Sequence, residues 1–292
     1  MNLMIDFQAT KDFLICIDSD GCAFDAMEIK HKECFIPNLI YIWGFQPISK
    51  YARETWEFVN LYSRWRGVNR FHALVKAFDL LGKRKAVIER NFKVPDLKPV
   101  EDWLETEKAP GNPTLKIEIK KKNSYILELT LKWSHAVNSS IRKMVRGVPP
   151  FPFVRESLQK ISQYADVVVV SSTPIEALER EWNEHDCLKY TKFVFGQEHG
   201  TKAQCIDIAV SKGGYDKDRV LKIGDAMGDF EAARKNNVHF YPIISGSEER
   251  SWERFYLEAF NRFITGKYTE DYENSLIEEF NRNLPEEPNW KF

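Results

Sequence analysis

Phe13-Leu14-Ile15-Cys16-Ile17-Asp18-Ser19-Asp20-Gly21 (FLICIDSDG, residues 13–21) is a short apolar run that stops abruptly at two aspartates and a glycine. An unbroken apolar run of this length is the pattern of a parallel strand buried on both faces, delivering its polar residues at the carboxyl end. Working outward, Val167–Val170 repeats the pattern and ends in Ser171-Ser172-Thr173-Pro174. Further runs at Phe193–Phe195, Val220–Ile223 and Val238–Tyr241 alternate with helical patterns at Ile175–Glu184, Lys202–Lys212 and Asp229–Asn236. Such alternation predicts an α/β core with a Rossmann-like parallel sheet covered on both faces.

Between the first two strands lies a long stretch, roughly Cys22 to Pro150, in which Trp56, Val59, Leu61 and Tyr62, then Leu74, Phe78 and Leu81, recur at helical spacing. It is too long for a connection and is expected to be a second, mostly α-helical domain. Within it, Leu115, Ile117 and Ile119 followed by Tyr125, Leu127, Leu129, Leu131 and Trp133 alternate as a hairpin would. Helix is favoured there, because Asn112-Pro113 is a start signal and Ile126, Leu129, Trp133, Val137, Ile141 and Met144 continue the helical period. The proline-rich Gly147–Pro152 predicts a stiff return to the core. The expected organisation is a core of residues 1–21 and 151–292 with a helical domain, 22–150, inserted in it. The helical segment after Ser247 and its acidic tail are expected only to pack.

The 42 basic and 43 acidic residues leave a net charge of -1, so no global field draws nucleic acid or an anionic membrane, and any anion must be bound locally. Asp6 and Asp12 near the amino terminus do not suit a secretory signal, and no run reaches membrane-spanning length. Five irregularly spaced cysteines without a Cys-x-x-Cys pair predict reduced thiols and a cytoplasmic protein.

Asp18 and Asp20 fall at the sheet edge where open α/β folds bind ligands. Two like charges this close call for a divalent cation, or for an ionised nucleophile beside a protonated acid. The stretch from Lys222 through Gly224 and Asp225 to Asp229 brings two more acids to a later strand end, and clustered oxygen ligands without His or Cys favour Mg²⁺. Ser171, Ser172 and Thr173 precede a helix start, a natural phosphate cradle, and Lys202 opens a helix where its ammonium could meet a phosphoryl oxygen. Each has an ordinary alternative: Thr173 as a helix cap, Lys202 as a solvated lysine, Gly224-Asp225 as a helix lead-in. Their recurrence at successive strand ends is what points to phosphate chemistry.

The order of these pieces resembles the haloacid dehalogenase superfamily, whose motifs are Asp-x-Asp-Gly, a Ser or Thr, a Lys, and Gly-Asp-x-x-x-Asp. The insertion sits where β-phosphoglucomutase/phosphoglycolate phosphatase-like members carry a cap domain. The resemblance implies Asp18 as nucleophile, Asp20 as general acid/base, and Ser171, with Ser172 beside it, and Lys202 as phosphoryl ligands. It further implies Mg²⁺ held by Asp18, the backbone carbonyl of Asp20 and Asp225, with Asp229 orienting Lys202 or a metal-bound water. Asp25 also falls where the family often has an acid, although a carboxylate favoured by a helix start explains it equally.

In the insertion, Arg64–Arg70 (RWRGVNR) resembles the cap specificity loop of β-phosphoglucomutase-like relatives. That likeness implies that Arg66 and Arg70, and more weakly Asn69, grip the remote part of a substrate; a solvated turn between helices is the alternative. The expected activity is Mg²⁺-dependent hydrolysis of a small phosphorylated metabolite through an aspartyl-phosphate, with no nucleic-acid or membrane partner. A phosphomutase would use the same core residues. A non-catalytic phosphate-binding module would be expected to have lost an acid or the lysine, and neither is missing.

Overall fold

The structure, a computed structural model, describes residues 7–290. Its chain divides into two compact units, Met1–Met27 with Gly147–Leu284, and Glu28–Arg146 with Pro285–Phe292.

The first unit is built on five parallel strands, β1 (Phe13–Ile17), β2 (Ala165–Val170), β3 (Phe193–Phe195), β4 (Val220–Gly224) and β5 (His239–Pro242), in the order β3-β2-β1-β4-β5. Alternate residues of each strand face opposite sides of a sheet. Accordingly Ile15, Ile17, Val167, Val169, Leu221 and Ile223 pack in one core with Leu158, Trp182, Trp252 and Phe260. Leu14, Cys16, Val168, Val170, Val220 and Phe240 pack in another, with Ile206 and Ala209, Ala233, and Ile277 and Phe280. Burial on both faces explains why the strands read as solid apolar runs. The C-terminal helix Glu270–Asn283 also supplies a buried carboxylate: Glu273 accepts from the Phe240 N–H (3.0 Å) and lies 2.8 Å from His239 Nδ1.

Residues 22–27 and 147–150 belong with the sheet unit, a difference from the expected boundaries at 22 and 150. The reasons are local: Cys22 O accepts from the Trp252 indole (2.7 Å), Ala23 O from Phe151 N (3.0 Å), and Phe24 bridges to Pro150.

The second unit is helical among its described residues, with Ile36–Trp43, Ser49–Leu61, Arg70–Lys83, Lys98–Thr106, Asn112–Lys122 and Tyr125–Met144 as its main elements. The helix reading of the ambiguous stretch therefore stands over the hairpin. It is nevertheless broken in two, where Asn123 takes a left-handed φ of 45°. The expected tail of the core is corrected as well. Residues 285–290 join the helical unit, where Trp290 meets Phe58 edge-on at 5.3 Å and lies under the Arg84 guanidinium at 4.4 Å. All five cysteines are buried and free, Cys34 in the helical unit and Cys16, Cys22, Cys187 and Cys205 in the sheet unit.

Candidate active site

Strand β1 lies at the switch point of the sheet, with β2 on one side and β4 on the other, and in open parallel sheets this is where ligands bind. The pairs Ile17↔Val169 and Ile17↔Ile223 put Asp18, Ser171 and Asp225 at adjoining strand ends. Asp18 N–H extends the ladder to Ile223 O (3.1 Å), after which Ser19 O accepts from the amides of Cys22, Ala23 and Phe24. This tight turn requires the φ of +73° that Gly21 supplies without strain. The wholly buried Ser19 hydroxyl accepts from the Trp182 indole (2.9 Å) and donates to Glu181 Oε2 (3.0 Å), fixing the loop between the two aspartates.

Asp18 is buried and doubly engaged: Oδ1 accepts from Ser19 N–H (2.7 Å) and Oδ2 from Lys202 Nζ (2.5 Å). Burial alone would raise its pKa, but the ammonium groups of Lys202 and Lys222 hold the carboxyl below its ordinary value. Lys202 begins helix Lys202–Gly213 behind a Thr201 cap, and its ammonium also meets both oxygens of Asp229 at 2.8 Å. Burial would depress this lysine, but Asp18, Asp229 and Asp225 outweigh it and raise its pKa. Asp225 directly follows β4, and Asp229 lies in helix Met227–Asn236. Gly224, just before Asp225, is obligatory, because a Cβ there would lie 2.3 Å from the Asp229 side chain.

Oxygens of Asp18, Asp225 and Asp229 lie within 4.8 Å of one another, all three residues buried. This donor set of hard carboxylate oxygens fits a divalent cation of the Mg²⁺ type. Asp18 and Asp225 are the two carboxylates expected to hold the metal, and Asp229 lies with them; Asp20 was expected to offer its backbone carbonyl, and its carboxylate is engaged elsewhere. Asp20 is instead held by Thr173, whose hydroxyl donates to Oδ2 at 2.7 Å. Thr173 is thus more than the helix cap it could have been, and only a tertiary contact reveals this.

Ser171 is buried at the end of β2, its N–H bound to Phe195 O (3.0 Å) and its hydroxyl 3.4 Å from the Thr173 N–H, while Ser172 is exposed. The first N–H of helix Ile175–Glu184 is taken by Glu198 Oε2 at 3.1 Å, so the phosphate cradle expected at this helix start is reduced by one donor. Missed from sequence altogether was Lys222. It lies in the middle of β4, wholly buried, with Nζ 2.8 Å from Asp229 Oδ1. A lysine inside an otherwise apolar strand was the available signal.

In the helical unit, Arg66 is buried and donates to Leu61 O (3.1 Å). Asn69 caps helix Arg70–Lys83 through Phe71 N–H (3.0 Å) and donates to Pro110 O (3.0 Å). Arg70 donates to Ser134 O (3.4 Å), Ser134 Oγ (3.1 Å) and Asn138 Oδ1 (2.6 Å) and lies over the Phe35 ring at 5.1 Å. Burial pushes its guanidinium down to about 10. Arg66 and Arg70 are thus packed into their own unit, while Gly67, Val68 and Asn69 at the tip of the turn are exposed. Close by, burial first, then Arg66, Lys30 and Arg70, push His31 down to about 3, and its Nδ1 accepts from the Trp56 indole at 3.0 Å.

A parallel α/β sheet whose central strand leads to an aspartate paired to lysine, beside further clustered acids, here belongs to a hydrolase. A family model for haloacid dehalogenase-like hydrolases matches residues 87–243, more than half of the chain, and the protein belongs to that family. The first motif, Asp18 to Gly21, lies outside the matched residues, and it is the sheet that joins it to the rest. A haloacid dehalogenase-like family hydrolase from Xanthomonas campestris shares the fold at 12% identity, with 89% of this chain and 96% of that one covered and a TM-score of 0.52. A haloacid dehalogenase-like protein from Bacteroides fragilis does so at 14% identity, 82% and 93% coverage and a TM-score of 0.52. No curated protein matches the chain in sequence. Among the described residues no helix is long and apolar enough to cross a membrane.

Proposed function

We propose that the protein is a phosphatase that hydrolyses a small phosphorylated metabolite through an aspartyl-phosphate on Asp18, with Mg²⁺ as cofactor. The observation that carries this reading is the different anchoring of two neighbouring acids. Asp18 sits between an amide and an ammonium that favour its ionised form, as a nucleophile requires. Asp20 takes a hydrogen bond from the Thr173 hydroxyl, which orients the carboxyl that is to hand over the proton.

In the proposed mechanism Asp18 attacks phosphorus while Asp20 protonates the departing oxygen, and Asp20 then takes a proton from the water that cleaves the acyl phosphate. Lys202 and the Ser171 hydroxyl take the phosphoryl oxygens. Asp18, Asp225 and the backbone carbonyl of Asp20 would hold Mg²⁺, which supplies charge neutralisation to the phosphoryl group when bound. Asp229 keeps Lys202 aimed at the site. In the helical unit, Arg70 has only uncharged acceptors among the described residues, which supports the reading that Arg66, Asn69 and Arg70 take an anionic or hydroxyl-bearing remainder of the substrate.

The test is a panel of phosphorylated metabolites with Mg²⁺, scored by released phosphate, with and without EDTA. Turnover that requires the cation and disappears with EDTA is expected. Full activity in metal-free buffer, or no release from any member of the panel, would remove this proposal.

A further inference from the structure

Lys222 is a full positive charge inside a parallel strand, and its surroundings account for each of its three donors. Nζ meets Asp229 Oδ1 at 2.8 Å, Ile223 O at 3.1 Å and Val170 O at 3.4 Å, and the residue has no exposed surface. A buried ammonium is tolerated only when paired and saturated in this way. A lysine is nevertheless an expensive means of filling a strand position, since apolar residues of similar volume usually serve stability as well or better. Its position relative to the phosphoryl site supplies the reason.

Asp229 Oδ1 is shared by two ammonium groups, Lys202 and Lys222, each at 2.8 Å. Lys202 is in turn divided between Asp229 and Asp18. Were Lys222 absent, Asp229 would lose one of its two ammonium partners and would hold that of Lys202 more tightly. An oxygen of Asp229 also lies within 4.8 Å of those of Asp18 and Asp225, so an Asp229 without its second counter-charge would be a competing cation ligand.

We propose that Lys222 is a positioning residue of the phosphoryl site: by neutralising Asp229 from beneath, it leaves Lys202 available to the phosphoryl group and keeps Asp229 out of the cation's ligand set. This rests on the phosphatase reading above. Two backbone contacts add to the role. Ile223 O also accepts the Asp18 N–H, and Val170 O immediately precedes Ser171, so one ammonium touches the strand ends that carry nucleophile and hydroxyl.

The test uses the full chain, inorganic phosphate and Mg²⁺ as probes, and binding measured by calorimetry. Lys222→Met, which keeps length and removes charge, should weaken phosphate binding in Mg²⁺ by about tenfold, the scale of one partly screened charge a few ångströms away. Mg²⁺ affinity should hold or tighten. Lys222→Met/Asp229→Asn removes the charge pair together and should bind phosphate more tightly than Lys222→Met, by about threefold, while staying weaker than wild type because Asp229 also aims Lys202. A role confined to bracing the strands predicts no such return, because the brace is missing from both variants. Unchanged phosphate affinity in folded Lys222→Met, or a double variant bound as weakly as the single one, would overturn the proposal. Should Lys222→Met fail to fold, Lys222→Gln is read in its place with the same outcomes: weakened phosphate binding that the added Asp229→Asn partly restores supports the charge balance, and unchanged binding refutes it. Wild-type protein that binds no phosphate with Mg²⁺ present would instead overturn the phosphatase reading, and this inference with it.

Discussion

The two ends of the parallel sheet each bury an aspartate, and they hold it differently. At the carboxyl end, Asp18 is balanced by the Lys202 ammonium at 2.5 Å and one amide. At the opposite end, Asp166 near the start of β2 receives Thr10 N–H and Oγ1 at 2.6 Å, Lys11 N–H at 3.0 Å and the Tyr215 hydroxyl at 2.6 Å, while Lys192 reaches only 3.9 Å. Burial would raise the Asp166 carboxyl, yet these donors together lower it. Both groups favour ionisation, but only one can act. A carboxylate saturated by fixed neutral donors ties chain segments together, whereas one held by a lysine side chain can exchange that partner for a ligand. Burial and depressed pKa therefore do not separate structure from chemistry, and the identity of the donors does.

The sharpest way to break this comparison is Asp18→Asn, for which turnover and covalent phosphorylation should both vanish while the fold remains. An acid-stable, hydroxylamine-labile label surviving in this variant would show that the wrong aspartate had been chosen, and a hydroxylamine-resistant label mapped by mass spectrometry to Ser171 would show that the nucleophile is no aspartate at all. Next in size, Asp20→Asn should cost roughly 10²–10⁴-fold on alkyl phosphates and less on aryl phosphates, whose leaving groups depart without much protonation. Thr173→Val removes the hydroxyl on Asp20 and should follow the same leaving-group pattern at about tenfold, near the worth of one hydrogen bond to a charged group. Equal losses on alkyl and aryl substrates would mean that Thr173 does not act through Asp20.

Asp166→Asn should leave kcat within a few-fold and cost about 1–3 kcal/mol of stability, the penalty for disturbing buried hydrogen bonds to a charged group. Because the folded carboxyl lies below its unfolded value of about 3.9, that contribution is complete above the unfolded value and is lost as pH falls through the lower folded one. Denaturant midpoints of wild type and variant should accordingly differ at pH 7 and converge only in strong acid; convergence already at pH 6 would contradict this. The smallest effect is expected from Arg70→Ala on p-nitrophenyl phosphate, a substrate too small to use remote contacts. A large loss on that ester would mark Arg70 as a structural residue of its own unit.

Much of the catalytic end was legible because parallel strands advertise themselves: apolar on both faces, they end where polarity begins, and Asp18, Ser171 and Asp225 all follow such an ending. Helix Ile175–Glu184 was legible end to end for a similar reason, its apolar stripe starting right after Pro174. What stayed hidden depends on contacts between distant segments. Trp290 packs on the helical unit through Phe58 and Arg84, and no periodicity in a short acidic tail announces that. The break at Asn123 is one residue in a left-handed conformation, inside a pattern that continues helically on either side. Thr173 reads as a cap until the fold brings Asp20 to it, and Lys222 reads as a stray polar residue in a strand until Asp229 lies beside it.

The buried thiols make the two units separately observable in time. Alkylation requires an exposed thiolate, and burial pushes Cys16 up to about 12 and Cys187 and Cys205 to about 11, with Cys22 and Cys34 raised as well. In the native state each sulfur should therefore react only when its surroundings open, at a rate set by the free energy of that opening. Cys34 reports the helical unit and the other four the sheet unit. Their modification rates, resolved peptide by peptide under increasing denaturant, would reveal whether the chain comes apart as one cooperative body or loses its helices first, and whether phosphate slows the sheet's clock alone.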